Sequence, residues 1–296
     1  MNQNTQIIEP PSSWLGSFRF LGPGFILSAA VVGSGELIVT TKMGAEAGFI
    51  LLWVILLACL FKVALQIEYG RYAIMHGKPS FQAWNQGKGP RVAGMHWSLL
   101  FAGLFLLAMF IGQGGVIGGA VEVAHHEIPA VSVVGWTAIL AIAIGFLIFH
   151  GKYRPIEFIS VFLNLVFMLL ILVCAGMIQA TPLGLSLSEF SSGLSFSLPA
   201  GNVFIAASAF GIVGIGAGEV VIYPYWCIEK GYAAWCGPND GSEAWRKRAR
   251  GWMRVMSLDA IVSMVVYTTA TCAFYLLGAA IFAGQSIETG GNAFLF

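Results

Sequence analysis

Gly33-Ser34-Gly35-Glu36 and Gly216-Ala217-Gly218-Glu219 decide the reading of this chain. Each sets a glutamate among glycines inside a long apolar run, the first run in one case and the sixth in the other. A charged side chain at the centre of a bilayer costs about 2.5–3.5 kcal/mol on insertion scales and marks a functional path by default. Glycines weaken a helix and bare its backbone. Backbone that leaves the helix at membrane depth survives only where protein or a wet cavity surrounds it. Interrupted helices at corresponding places in two halves of a chain point to a substrate site between them.

The composition agrees with that setting. Of 296 residues, 57% are hydrophobic and 10% charged, and the mean hydropathy is +0.80. A soluble domain carries about 25% charged residues, so the chain reads as an all-α polytopic membrane protein with the lipid bilayer as its solvent. The net charge of +1 is silent about nucleic acid. No basic-aromatic interleaving suggests it, so no nucleic-acid partner is expected. The five scattered cysteines (Cys59, Cys174, Cys227, Cys236 and Cys272) make no disulfide framework. Cys227 and Cys236 stand too far apart for a metal knuckle, and free thiols are expected. With no nucleophile–base pair and no phosphate loop, neither an enzyme nor a permanently bound cofactor is expected. The polar start, Met1 to Ser13, does not read as a cleaved signal.

A spanning helix needs about 20 mostly apolar residues. Seven stretches qualify: 20–42, 47–75, 96–122, 131–150, 156–179, 200–229 and 255–284. Basic residues gather in alternate connections. Arg71, Lys78, Lys88 and Arg91 lie around the second connection, and Lys152 and Arg154 in the fourth. Lys230, Arg246, Lys247, Arg248, Arg250 and Arg254 lie in the sixth, and Arg19 precedes the first span. The other connections hold only Lys42. The positive-inside rule then puts the N-terminus in the cytoplasm, at a plasma membrane of the bacterial inner-membrane kind. The Arg246–Arg254 cluster reads as topogenic rather than as a headgroup site.

Several other features read as structural. Lys62 and Glu68, six residues apart and off one helical face, read as a buried or snorkelling pair. Glu122, His125, His126 and Glu127 read as a solvated helix end, and Pro224 as a kink. Gly112, Gly114, Gly115, Gly118 and Gly119 in the third span read as helix-packing positions.

Spans one and six, both interrupted, are five spans apart. The chain therefore reads as a single transmembrane domain over 1–296. In it, 20–179 is a first five-helix repeat and 200–296 the start of an inverted second one. That second repeat would need spans six to ten, so the sequence is expected to be a fragment of a longer protein.

The segment Phe20-Leu21-Gly22-Pro23-Gly24, then Gly44-Ala45, Gly48-Phe49 and Leu51-Leu52-Trp53, with Gln66 and Arg71 in span two, resembles the natural resistance-associated macrophage protein (NRAMP) family of divalent metal transporters. Val116-Ile117-Gly118 and Ile128-Pro129 resemble the family's third span and its exit. The likeness is good over the first 80 residues and patchy over the rest. It implies the leucine-transporter-like inverted-repeat fold, with substrate held between broken helices one and six. The departures matter as much. The family's Asp-Pro-Gly-Asn falls at Gly33-Ser34-Gly35-Glu36, and its Met-Pro-His-Asn at Gly216-Ala217-Gly218-Glu219. A family histidine one turn on falls at Tyr223, and the acidic pair of the third span falls near Gly112 and Gly115. The family's ordinary proton route is thus missing, and weak or no proton coupling is expected.

The replacements leave a symmetric pair of carboxylates. Glu36 and Glu219 are the candidate metal ligands. Backbone near Ala30 and Val213 is expected to add carbonyls, and Gly33 and Gly216 to leave room for a hydrated ion. Oxygen-only sites suit hard cations, and no thioether remains, so a magnesium-like divalent cation is the expected substrate. Two facing carboxylates repel unless a cation or proton lies between them. The alternative is a secondary transporter of an organic solute, a cationic amine or amino acid, on the same scaffold. A third class, a non-transporting membrane protein such as a receptor, keeps the glutamates as structural partners of freed backbone amides. The charge pattern yields a topology test: a cysteine placed at Ser242 is expected to stay unlabelled by a membrane-impermeant thiol reagent added outside intact cells, and ready labelling would reverse the orientation.

Overall fold

The computed structural model describes residues 7–149 and 153–283, and the features expected at Lys152 and beyond residue 283 lie outside them. The described chain is helical almost throughout. In order it forms α1 (Trp14–Ser17), α2 (Pro23–Val31), α3 (Ser34–Ala47), α4 (Leu52–His76), α5 (Ser80–Asn85) and α6 (Trp97–Glu127). There follow α7 (Val133–Phe149), α8 (Tyr153–Met177), α9 (Leu187–Gly193), α10 (Val203–Ile212), α11 (Ala217–Lys230), α12 (Tyr232–Cys236) and α13 (Glu243–Phe282). All seven apolar stretches are helical. Five meet the length and composition of a span: Leu52–His76, Trp97–Glu127, Tyr153–Ala180, Ala200–Lys230 and Glu243–Phe282. At the first stretch, the pair Trp14–Phe20 and Pro23–Val31, bent by 64°, makes a sixth if counted as one span. The fourth, α7, has 17 residues among those described, and the residues that follow it lie outside them.

One small sheet was not expected. Arg91–Val92 and Met95–His96 pair antiparallel in the connection before α6, with Arg91 opposite His96 and Val92 opposite Met95. Its turn residues Ala93 and Gly94 both have positive φ, +50° and +81°, as a tight two-residue hairpin requires.

The centre of the structure is α13, which packs along α2, α3, α4 and α8. Trp252, Tyr267 and Tyr275 on it are fully buried, as are Tyr223 of α11 and Tyr232 of α12. Helices in a bilayer gain nothing from hydrophobic contact alone, so small residues bring their backbones together. Gly44 of α3 and Gly278 of α13 do this: a Cβ on the first would run into the Tyr275 carbonyl, and on the second into the Thr41 backbone. The glycines of α6 behave otherwise. A Cβ on Gly112, Gly114, Gly118 or Gly119 would meet nothing within 4 Å, so the expected packing role is not played within the described chain. α6 lies at the edge of the bundle, and much of its apolar surface is exposed.

Asp259 of α13, completely buried, holds the entry to the first span. Its two carboxylate oxygens accept the backbone N–H groups of Gly22 and Gly24 at 2.7 and 2.5 Å. These are orphan donors at the start of α2, and an anion over them is favoured by the helix dipole as well. Pro23 at the first position has no N–H to leave unpaired. Tyr223 donates its hydroxyl to the same carboxylate at 3.2 Å. Around it, Tyr232 donates to the Phe20 carbonyl at 2.8 Å. Lys230 donates to the Leu21 carbonyl at 3.0 Å and to Glu157 at 2.5 Å. The Phe20–Gly24 motif is thus the docking point of four helices. Asp259→Ala leaves two buried amides unpaired and should lower stability by about 2–5 kcal/mol. Asp259→Asn, which keeps one acceptor oxygen, should cost less, and thermal unfolding of both variants in detergent measures the difference.

Candidate functional site

The two interruptions are built alike. In the first, nine-residue α2 ends at Val31 and fourteen-residue α3 starts after Gly33. In the second, ten-residue α10 ends at Ile212 and fourteen-residue α11 starts after Gly216. Gly33 and Gly216 are the N-caps, and Glu36 and Glu219 each sit in the first turn. The breaks expected at these motifs are therefore present. Neither glycine cap supplies a side-chain oxygen for the freed N–H groups.

The two glutamates are used differently. Glu36 is buried, and its Oε1 accepts the backbone N–H of Gly214, in the opposite break, at 2.5 Å. Its Oε2 is buried and has no hydrogen-bond partner among the described residues. The Thr271 hydroxyl of α13 comes up to the carboxylate but donates to the Tyr267 carbonyl at 2.8 Å. Glu219 is half-buried and folds back over its own cap: a Cβ on Gly216 would stand 2.5 Å from Glu219 Oε2. Gly214 has φ +72°, a conformation that favours glycine. That turn brings its N–H round to Glu36.

Lys62, on α4, comes to the same place. Its ammonium donates to the carbonyls of Gly211 and Val213 at 3.0 and 2.5 Å. It lies within electrostatic reach of both Glu36 and Glu219. The expected pairing of Lys62 with Glu68 is not formed. Glu68 is exposed and pairs with Arg71 at 2.6 Å, because residues three apart share a helix face and residues six apart do not. Of the other expected site residues, Val213 is fully buried with its carbonyl already holding one donor. Ala30 is exposed in the last turn of α2, its carbonyl oxygen 3.5 Å from where a Gly33 Cβ would stand. Among the described residues no three His, Cys, Asp or Glu side chains gather as a metal cluster. At the far end of α6, the His125 ring meets the Val131 carbonyl at 2.7 Å, and His126 lies 3.4 Å from Glu127.

Residues 24–294 match the profile of the natural resistance-associated macrophage protein-like family. The chain belongs to that family. Its NRAMP relatives include a divalent metal cation transporter MntH of Staphylococcus saprophyticus, 26% identical over 93% of this chain and 58% of the relative. Another is the MntH of Pediococcus pentosaceus, 25% identical over 100% of this chain and 63% of the relative. The chain thus spans about three-fifths of the length of these relatives. The fold is that of a solved manganese transporter from Eremococcus coleocola. The TM-score is 0.75 at 16% identity, covering 97% of this chain and 56% of that one. The leucine-transporter-like architecture implied by the resemblance is therefore the observed one.

Sequence reasoning placed the two breaks and singled out the two glutamates of this NRAMP chain, gave Lys62 the wrong partner, and missed Gly214 and Asp259. A lysine in the middle of an apolar span is a signal in itself; what the sequence withholds is its partner, 149 residues away. The Glu36–Gly214 bond generates a stability test. Glu36→Ala leaves a buried amide unpaired and should cost about 1–3 kcal/mol. Glu36→Gln keeps an acceptor and should unfold close to the parent in a thermal melt.

Proposed function

We propose that the whole protein moves a divalent metal cation across the membrane, and that the ion rests between the two breaks. One observation carries the reading: Glu36 Oε2 is a buried carboxylate oxygen with no hydrogen-bond partner among the described residues. A buried anionic oxygen is costly unless a cation or donor meets it. Membership of the NRAMP family and the transporter names of its relatives support the same conclusion.

In this reading Glu36 and Glu219 are the anionic ligands. The Ala30 carbonyl adds a neutral oxygen. So does the second lone pair of Val213, whose first meets Lys62. Gly33 and Gly216 leave room for water on the ion. Few protein ligands and all of them oxygen suit a partly hydrated hard cation, magnesium-like or manganese, better than a soft one. The proposal keeps the N-terminus in the cytoplasm, one transmembrane domain over 1–296, the first repeat at 20–179 and the second beginning at 200. It also keeps proton coupling weak, since Tyr223 is committed to Asp259 rather than free to relay. A second reading, transport of an organic cation, has one observation in its favour: the break already accommodates an alkylammonium, that of Lys62.

The test is calorimetric titration of the purified full-length protein with Mg²⁺, Mn²⁺ and Cd²⁺. Glu36→Gln and Glu219→Gln should each weaken Mn²⁺ and Mg²⁺ binding at least tenfold, about 1.4 kcal/mol, with the fold intact. Cd²⁺ should gain no advantage over Mn²⁺. Parent-like binding by both variants would make the carboxylates structural and leave the organic-cation reading.

A further inference from the structure

We propose that the C-terminal end of α10 is a monovalent-cation position, which this chain fills permanently with its own Lys62. α10 stops at Ile212, and the carbonyls of Gly211 and Val213, which a continued helix would have bonded, are freed by the turn at Gly214. At membrane depth each unsatisfied carbonyl costs several kcal/mol. The C-terminal end of a half-helix carries the negative pole of the dipole. Freed carbonyls at such ends are where broken-helix transporters coordinate small cations. Here both carbonyls receive one ammonium, at 3.0 and 2.5 Å.

The identity of the occupant follows from what Lys62 does not do. It forms no ion pair with Glu68, which is taken by Arg71. Among the described residues it makes no ion pair with the glutamates of the breaks either: Glu36 holds the Gly214 amide and Glu219 lies over Gly216, both within electrostatic reach of the ammonium but not in contact with it. The ammonium is therefore used as a compact point charge on carbonyl oxygens, as a bound alkali cation would be. Its tether, the four-carbon stem from α4, makes it a cation that cannot leave. The consequence is that the second break should be stable without any monovalent ion in solution, and should come to need one when the lysine is removed.

The inference rests on reading the breaks as an ion site, yet its test uses no divalent ion. The thermal midpoint of the purified full-length protein is measured in NaCl, LiCl, KCl and choline chloride at equal ionic strength. The parent should give the same midpoint in all four. Lys62→Ala should melt lower in choline, and one of the alkali cations should raise its midpoint saturably, by roughly 5 °C at about 100 times its Kd. Lys62→Arg, which keeps a cation on the carbonyls, should remain indifferent to the salt. If Lys62→Ala is not recovered folded in choline, purification with n-propylammonium chloride, which restores the missing ammonium, should recover it; recovery in neither salt overturns the proposal. A Lys62→Ala protein as stable as the parent and blind to the monovalent cation also overturns it, since the lysine is then only snorkelling. Mn²⁺ titration of the same samples separates the two ideas. Absence of Mn²⁺ binding in the parent removes the divalent reading and leaves the salt comparison interpretable.

Discussion

A buried carboxylate crosses from one broken helix to the other: Glu36 of α3 accepts the amide of Gly214 between α10 and α11. The bond answers the strictest demand on a chain in a bilayer, that each backbone group freed at depth finds a partner inside the protein. Interrupting two spans frees N–H groups on one side of each break and carbonyls on the other. Among the described residues, three long-range side chains meet part of that demand, two at the second break and one at the start of the first span. Glu36 takes the amide of the second break. Lys62 takes two of its carbonyls. Asp259 takes the two amides at the start of α2. Each partner comes from a different helix, so the breaks also fix how α2, α3, α4, α10 and α13 sit against one another.

The two Gly-x-Gly-Glu motifs begin as equivalents and end as opposites. Both glutamates stand in the first turn of a fourteen-residue half-helix. Burial separates them: Glu36 is 4% exposed, whereas Glu219 is half-buried and lies over its own cap. The difference follows from Gly214, whose positive φ turns an amide toward the first break, while the first break has no equivalent positive-φ glycine. A pair of carboxylates in which one holds an amide and the other lies over its own helix cap repels less than two bare ones. It still presents anionic oxygens that a divalent ion can join to carbonyls and water.

The fold was legible in the sequence where the signal is local. Apolar runs of about 20 residues, glycine pairs beside a glutamate, and lysines and arginines in alternate loops mark the spans and both breaks. The NRAMP resemblance supplied their arrangement. The site was half legible. Glu36 and Glu219 stand out because a carboxylate in an apolar run is conspicuous. Gly214 does not, because nothing in Gly211-Ile212-Val213-Gly214-Ile215-Gly216 tells which glycine takes the left-handed turn. Lys62 was visible but paired with the wrong residue, since the carbonyls it meets carry no side-chain signature at all. Asp259 escaped for the same reason: it binds backbone amides 235 and 237 residues away. The third-span glycines show the opposite failure. Their pattern fits close packing, yet the space beside four of them is open, because packing requires a neighbour that composition cannot supply.

The way the breaks are tied has a mechanical consequence. A half-helix can tilt only if the groups at its broken end keep partners or exchange them. α10 is held at its end by Lys62 from α4, while the turn that follows it is held by Glu36 from α3. Tilting α10 against α4 therefore strains the Lys62 bonds, and moving α3 against the Gly214 turn strains the Glu36 bond. The two bonds lie either side of one glycine, so strain in either is felt at the same backbone turn. In the proposed reading, a cation bound to Glu36 would weaken the hold of that carboxylate on Gly214, because the charge it shares with the amide would be drawn toward the ion. Occupancy of that proposed site and freedom of the second break would then be coupled through a single residue, with no longer path through the bundle required.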